Sequence, residues 1–230
     1  MKVLITSDSL EVKDAEVIRL RIIDTRKFKG RRIIEERKRL KANDGFVTVG
    51  DPAKEVAKFA NAIDVDLIAV NDPDLGLDVA RTVSKPVLIA NNLDNVFERG
   101  LIGYNPLVFN EAIKSRIESL PFKEMHIIHV LESLIPAKAN IETNIPKIVD
   151  FMRNVKERVE RVSHYHVKVG EPVEEILKTA EEIDASCIAL STSMKTLPLG
   201  STTQKIAKIG KFPVLIWKEL IKRNGFIQCL

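Results

Sequence analysis

The sequence predicts an α/β protein made of two tandem doubly wound parallel-sheet domains. Three observations carry this prediction. Residues 47–70 (VTVGDPAKEVAKFANAIDVDLIAV) and 167–190 (VKVGEPVEEILKTAEEIDASCIAL) repeat at an offset of 120, with 11 of 24 positions identical and no gap. Each copy is followed by Pro-Val-Leu-Ile, at 86–89 and at 213–216. In the second copy, short apolar runs alternate with segments of 3–4 periodicity, the pattern of strands joined by crossover helices. Self-similarity at a fixed offset marks a duplicated unit. The chain therefore divides into residues 1–94 and 95–230, with the boundary in the polar stretch Asn91–Glu98 and a C-terminal extension on the second domain.

The second copy reads strand by strand. Gly100–Tyr104 is the first strand. Phe109, Ala112, Ile113, Ile117 and Leu120 recur at helical spacing. His126–Leu131 is the second strand, and Ile145, Ile148, Val149, Met152, Val155, Val159 and Val162 line a long amphipathic helix. His164–Val169 is the third strand. Gly170-Glu-Pro172 punctuates the turn, and Pro172 suits the first position of the next helix. Val173, Ile176, Leu177, Ala180 and Ile183 make that helix. Cys187–Leu190 is a fully apolar fourth strand of the kind buried on both faces. A helix over Gly200–Lys211 and a strand over Pro213–Trp217 complete the unit. Folds of this type bind ligands beyond the carboxyl ends of the strands, where the strand order reverses.

The first copy is reduced. Val3–Ser7 is its first strand, and only about ten residues precede the next, at Ile18–Ile23, so a first helix does not fit. The following helix spans Gly30–Ala42. Fifteen residues (71–85) link its fourth and fifth strands, against 22 (191–212) in the second copy.

Composition narrows the class. Of 230 residues, 45% are hydrophobic and 30% charged, and Lys plus Arg exceed Asp plus Glu by 36 to 32. This is ordinary globular usage. No apolar run approaches the roughly 18–20 residues that span a bilayer. Two cysteines, Cys187 and Cys229, make no disulfide scaffold. The expectation is a soluble cytoplasmic protein with no membrane partner.

The runs VGEPVEEILKTAEEIDASCIAL and LGSTTQKIAKIGKFPVLIWK resemble the universal stress protein family. The likeness covers most of residues 99–217 and, more weakly, 1–90, so the chain looks like a tandem universal stress protein. The resemblance implies five-stranded domains of the adenine-nucleotide alpha-hydrolase-like kind. It also implies an intramolecular pseudo-dimer in which the two fifth strands pair. In nucleotide-binding members a G-x-x-G loop, nine further residues and G-S/T follow the fourth strand. Here Gly200-Ser201 matches the final pair, followed by Thr202, and the earlier glycines are replaced within Ser191–Leu199, where Ser191 and Ser193 offer hydroxyls. Glycines let backbone N–H groups approach phosphate, and a helix N-terminus supplies free donors. The family's nucleoside-contacting Asp aligns with Asn105, and its adenine-lining region with His129-Val130. The cofactor-binding residues implied are thus Asn105, Val130, Ser191, Ser193, Gly200, Ser201 and Thr202. The ligand implied is ATP, ADP or AMP, held weakly and in the second domain. In the first copy Asn71–Asp78 replaces the phosphate loop, and its three acidic residues disfavour phosphate.

Other features read as structural. His126 with His129, and His164 with His166, fall on neighbouring strands. The pair two apart shares a face and the pair three apart does not, and the reading is core or surface histidines with no metal. Cys187 is a buried thiol. Residues 26–41 carry nine Lys or Arg against two Glu, with only Phe28 aromatic. A solvated helix face is preferred to a nucleic-acid surface, which wants stacking aromatics. No Walker, dinucleotide, zincin or nucleophile-elbow motif is present. The expected function is that of a non-enzymatic stress regulator acting on a protein partner of unknown identity, with room for a further homodimer. The alternative is an interaction module of the same fold without a nucleotide.

Overall fold

In the computed structural model, residues 1–7, 10, 15–41, 45–104, 115, 117–131, 146, 148–150, 153, 157, 159–193 and 199–219 are described. The strands are β1 (Lys2–Ile5), β2 (Glu16–Asp24), β3 (Phe46–Gly50), β4 (Leu67–Val70), β5 (Val87–Ile89), β6 (Arg99–Gly103), β7 (Glu124–Leu131), β8 (Val162–Val169), β9 (Cys187–Ser193) and β10 (Val214–Glu219). We label five helices α1 (Arg31–Lys41), α2 (Pro52–Ala62), α3 (Pro73–Thr82), α4 (Pro172–Glu182) and α5 (Ser201–Ile209).

The ten strands form one sheet in the order β3-β2-β1-β4-β5-β10-β9-β6-β7-β8. Each half has the doubly wound order 3-2-1-4-5, with its reversal between first and fourth strands. Every pairing within a half is parallel. The two halves meet antiparallel, with Val214, Leu215 and Ile216 opposite Ile89, Leu88 and Val87. The expected pseudo-dimer through the fifth strands is therefore the observed arrangement. Its cause lies in the sequence of those strands. Val87, Leu88, Ile89, Val214, Leu215 and Ile216 are all buried, and an apolar strand left at a sheet edge would template aggregation.

The sheet carries a core on each face. On one, α2, α3, α4 and α5 bury Val56, Ala60, Leu77, Val79, Ala80, Val173, Ile176, Ala180, Ile206 and Ala207 against Ile68, Val87, Ile188, Val214 and Ile216. On the other, Val3, Ile5, Leu67, Leu88, Ile102, Ile127, Ala189, Leu215 and Trp217 pack with Ile117, Leu120, Ile148 and Val159. Strands buried on both faces explain the continuous apolar runs in the sequence.

The repeat is visible in local geometry. Asp51 and Glu171 cap α2 and α4, accepting from the N–H of Lys54 and Glu174, and each is followed by proline at the first helical position. Side-chain acceptors there satisfy donors that a helix leaves free. Just past the two helices, Asp64 and Asp184 both hold positive φ, 46° and 53°, a conformation that Asp tolerates better than most residues.

Two expected elements differ. Asn71–Asp78, read as an altered loop, is mostly the start of α3. Asp72 caps it by accepting from Leu75 N at 2.8 Å, and Pro73 opens it. Val162, expected on a helix, opens β8, paired with Met125. Ser115, Ile117 and Glu118, and several residues between 146 and 157, are helical as the periodicity predicts. The rest of those two expected helices lies outside the described residues, as does Cys229.

A fragment of residues 97–230 retains β10 without β5. It is expected to form a homodimer through that strand, measured by sedimentation or light scattering. A well-folded monomer would contradict the role given to this pairing.

Candidate ligand cleft in the second half

The cleft follows from unequal strand lengths. β6 ends at Gly103, opposite Leu190 of β9 and Ile128 of β7. Both neighbours run three residues further. Ser191, Thr192 and Ser193 continue against Trp217, Lys218 and Glu219 of β10. His129, Val130 and Leu131 continue against Val167, Lys168 and Val169 of β8. Among the described residues, both neighbours therefore outlast β6 at the place where the strand order reverses, the position at which folds of this type bind ligands. Gly103 keeps the floor tight, because a Cβ there would lie 2.7 Å from Leu190 Cδ2.

The chain leaving β6 is held in place. Tyr104 N donates to Ile128 O at 3.2 Å, and His129 Nδ1–H donates to Tyr104 O at 3.1 Å. Both polar groups of Tyr104's backbone are thus fixed by β7 immediately before Asn105. His129, which the resemblance aligns with the adenine-lining region, holds the Tyr104 backbone instead. Its signal was the odd three-residue spacing from His126, which turns it to the opposite face.

The α5 end of the site is built differently from the other capped helices. Gly200 stands at its N-cap position with φ −52° and makes no side-chain cap. Gly200 and Ser201 are exposed, Thr202 is half-buried and Thr203 is buried. Among the described residues, the first N–H groups of α5 thus have no side-chain cap, at the positive end of the helix dipole. Lys205 lies one turn along, its Nζ 3.9 Å from Glu171 Oε1 at the start of α4. The opening turn is braced from inside. Gln204 Nε2 donates to Leu199 O at 2.6 Å, and Arg81 Nη2 of α3 donates to Gln204 Oε1 at 3.2 Å.

The residues implied by sequence fall as follows. Val130 is half-buried on β7, packed against the α-helical core. Ser191 is half-buried on β9. Ser191 and Ser193 are strand residues, not loop residues, because β10 is long enough to pair with them. Gly200, Ser201 and Thr202 lie together at the head of α5. Asn105 and residues 194–198 lie outside the described residues. Cys187 is fully buried, and burial pushes its thiol far up, so it is not a nucleophile.

The corresponding helix start in the first half is capped. There α3 begins three residues after β4, and its N-terminus is occupied by the Asp72 carboxylate. The other acidic residues of α3 are engaged elsewhere. Asp78 pairs with Arg81, and Asp74 takes Lys208 of α5 at 2.9 Å. The first half thereby supports the helix that heads the second cleft.

The architecture is that of a doubly wound α/β protein, with a switch point in each half. Residues 121–218 match the universal stress protein family model. Over most of its length the chain is similar to a universal stress protein from Archaeoglobus fulgidus DSM 4304, with 21% identity, 88% of this chain and 85% of that chain covered, and a TM-score of 0.58. It is also similar to a putative universal stress protein from Pseudomonas aeruginosa UCBPP-PA14, with 14% identity, 94% and 92% covered, and a TM-score of 0.55. These likenesses extend the shared fold across both halves. No curated protein matches the chain by sequence. Among the described residues no helix is long and apolar enough to cross a membrane.

Burial holds the His129 imidazole below its ordinary value, outweighing the Tyr104 carbonyl that favours its protonation. The unfolded chain therefore binds the proton more readily. The stability contributed by neutral His129 is full above about pH 6.5 and is lost as pH falls through the lower folded value. Thermal melts between pH 8 and pH 5 should show a falling midpoint, and His129→Gln should flatten that slope.

Proposed function

We propose that the chain is a non-enzymatic regulator of the universal stress type. Its second half binds an adenine nucleotide in the cleft between β6 and β9, and the bound state is read by a protein partner. The observation that carries this reading is the N-terminus of α5, which has no side-chain cap among the described residues. Backbone N–H groups at such an end suit a phosphate, and Lys205 adds a mobile positive charge one turn away. Ser191 offers a hydroxyl from the β9 wall. Val130 and Asn105 provide the nucleoside side.

Only the head of α5 supplies the glycine-borne donors, so the inner phosphate gains most. AMP and ADP should therefore bind about as well as ATP, with affinity no tighter than about micromolar, or roughly −8 kcal/mol. A ligand at 100 times its dissociation constant stabilises the fold by about 2.7 kcal/mol. For a chain of this size that corresponds to a rise in melting temperature of about 5 °C. Gly200→Val should remove the shift while the protein stays folded, because a Cβ there meets nothing nearer than Thr203 Oγ1 at 4.0 Å. Asp72→Asn, which preserves the cap on α3, should leave the shift unchanged. If AMP, ADP and ATP all fail to move the melting temperature at millimolar concentration, the interaction-module reading replaces this one.

A further inference from the structure

A second group of polar side chains sits on the outer strand pair of the second half. Glu124 and His126 are two residues apart on β7, so they project from the same face. β8 brings His164 opposite His126, just past an irregularity in register between Met125 and His126. Donor atoms of Glu124, His126 and His164 all lie within 4.8 Å of one another. The rings of His126 and His164 stack with centroids 5.0 Å apart. His166 packs on the other side of His126, centroids 5.4 Å apart, with its Nε2 3.1 Å from His126 Nδ1.

We propose that Glu124, His126 and His164 form a binding site for a divalent transition metal, with zinc as the best match. The carboxylate is already in place. Arg99 Nε donates to Glu124 Oε2 at 2.8 Å, and Ser163 Oγ donates to Oε1 at 2.9 Å. Arg99 is itself fixed, donating from Nη1 to Ile183 O at 2.7 Å. Arg99 occupies Oε2 and leaves Oε1 toward His126, whose Nε2 lies 3.1 Å away.

The histidine side is arranged in the same sense. With a metal on His126 Nε2, the remaining ring proton sits on Nδ1 and donates to His166 Nε2. That hydrogen bond fixes tautomer and ring orientation, as supporting partners of metal-bound histidines do. His166 is thus a positioning residue, and His126, Glu124 and His164 are ligands. His126 is buried and His164 exposed, so one ligand is anchored while another can swing in from solvent. Bonds of about 2.0–2.2 Å need the three donors closer together than they now stand, and the exposed His164 supplies that movement. Two imidazoles and a carboxylate match zinc or its neighbours, not calcium or magnesium, which take oxygen ligands. Three protein ligands leave a fourth position for water or an outside group.

The test uses the untagged full chain, stripped with chelator and titrated with Zn2+ by calorimetry at pH 7.5. The expected result is one ion per chain at micromolar affinity or tighter, undisturbed by excess Mg2+ or Ca2+. His164→Ala, at an exposed position, should weaken binding at least about tenfold without altering the circular dichroism spectrum. His166→Ala should weaken it about 10–100-fold. Co2+ should give visible d–d absorption without a thiolate charge-transfer band. Zinc affinity unchanged in His164→Ala, no binding by the unaltered chain at tens of micromolar, or a cobalt–thiolate band would each overturn the proposal.

Discussion

The antiparallel contact between β5 and β10 is the constraint on which the remaining structure depends. It joins two strands whose described residues from Val87 to Ile89 and from Val214 to Ile216 are buried. Burying one such aliphatic side chain contributes roughly 1.5–3 kcal/mol, and every one of these residues would face solvent or an unpaired edge if the halves separated. The antiparallel sense also sets the geometry of function. Parallel strands in one half run opposite to those in the other, so the two switch points open at opposite edges of the sheet. They cannot merge into a single cleft, and each must stand or fall on its own residues.

Those residues differ, although the frame is duplicated. In the first half a carboxylate, Asp72, occupies the end of α3, where an incoming anion would have to bind. In the second, Gly200 places no side-chain cap on α5. The first half instead contributes mechanically. Arg81 holds Gln204, Gln204 holds the Leu199 carbonyl, and Lys208 reaches Asp74. The ion pair is exposed and worth little by itself. The hydrogen-bonded chain through Gln204 matters more, because it sets the direction from which the chain enters α5. The first half thus acts as a support for its twin.

Much of this was legible in the sequence, for identifiable reasons. The offset repeat with its paired Pro-Val-Leu-Ile runs reports the two half-sheets, since strands buried on both faces need continuous apolar residues. The G-x-P turns at Gly50 and Gly170 report the capped starts of α2 and α4. Other features depend on partners distant in sequence. The length of β9 is set by β10, so Ser191 and Ser193 read as loop residues until the strand beside them is known. Asn71–Asp78 looked like a changed phosphate loop because its acidic residues dominate the eye, yet Asp-Pro is a helix start. The histidines were correctly divided between faces by their spacing, with His129 turned toward Tyr104 and His126 away from it. Their meeting with Glu124 was not visible, because Glu124 lies just before the predicted start of that strand.

The central claim is that the two halves are one cooperative sheet closed by β5 and β10. Native-state hydrogen exchange tests it directly. Amides hydrogen-bonded across β5 and β10 should exchange only through global unfolding, as slowly as those in β4 and β9 on either side. Exchange of the β5–β10 amides at the faster rate of the outer strands β3 and β8, while β4 and β9 stay protected, would show that the halves part independently and would contradict the account.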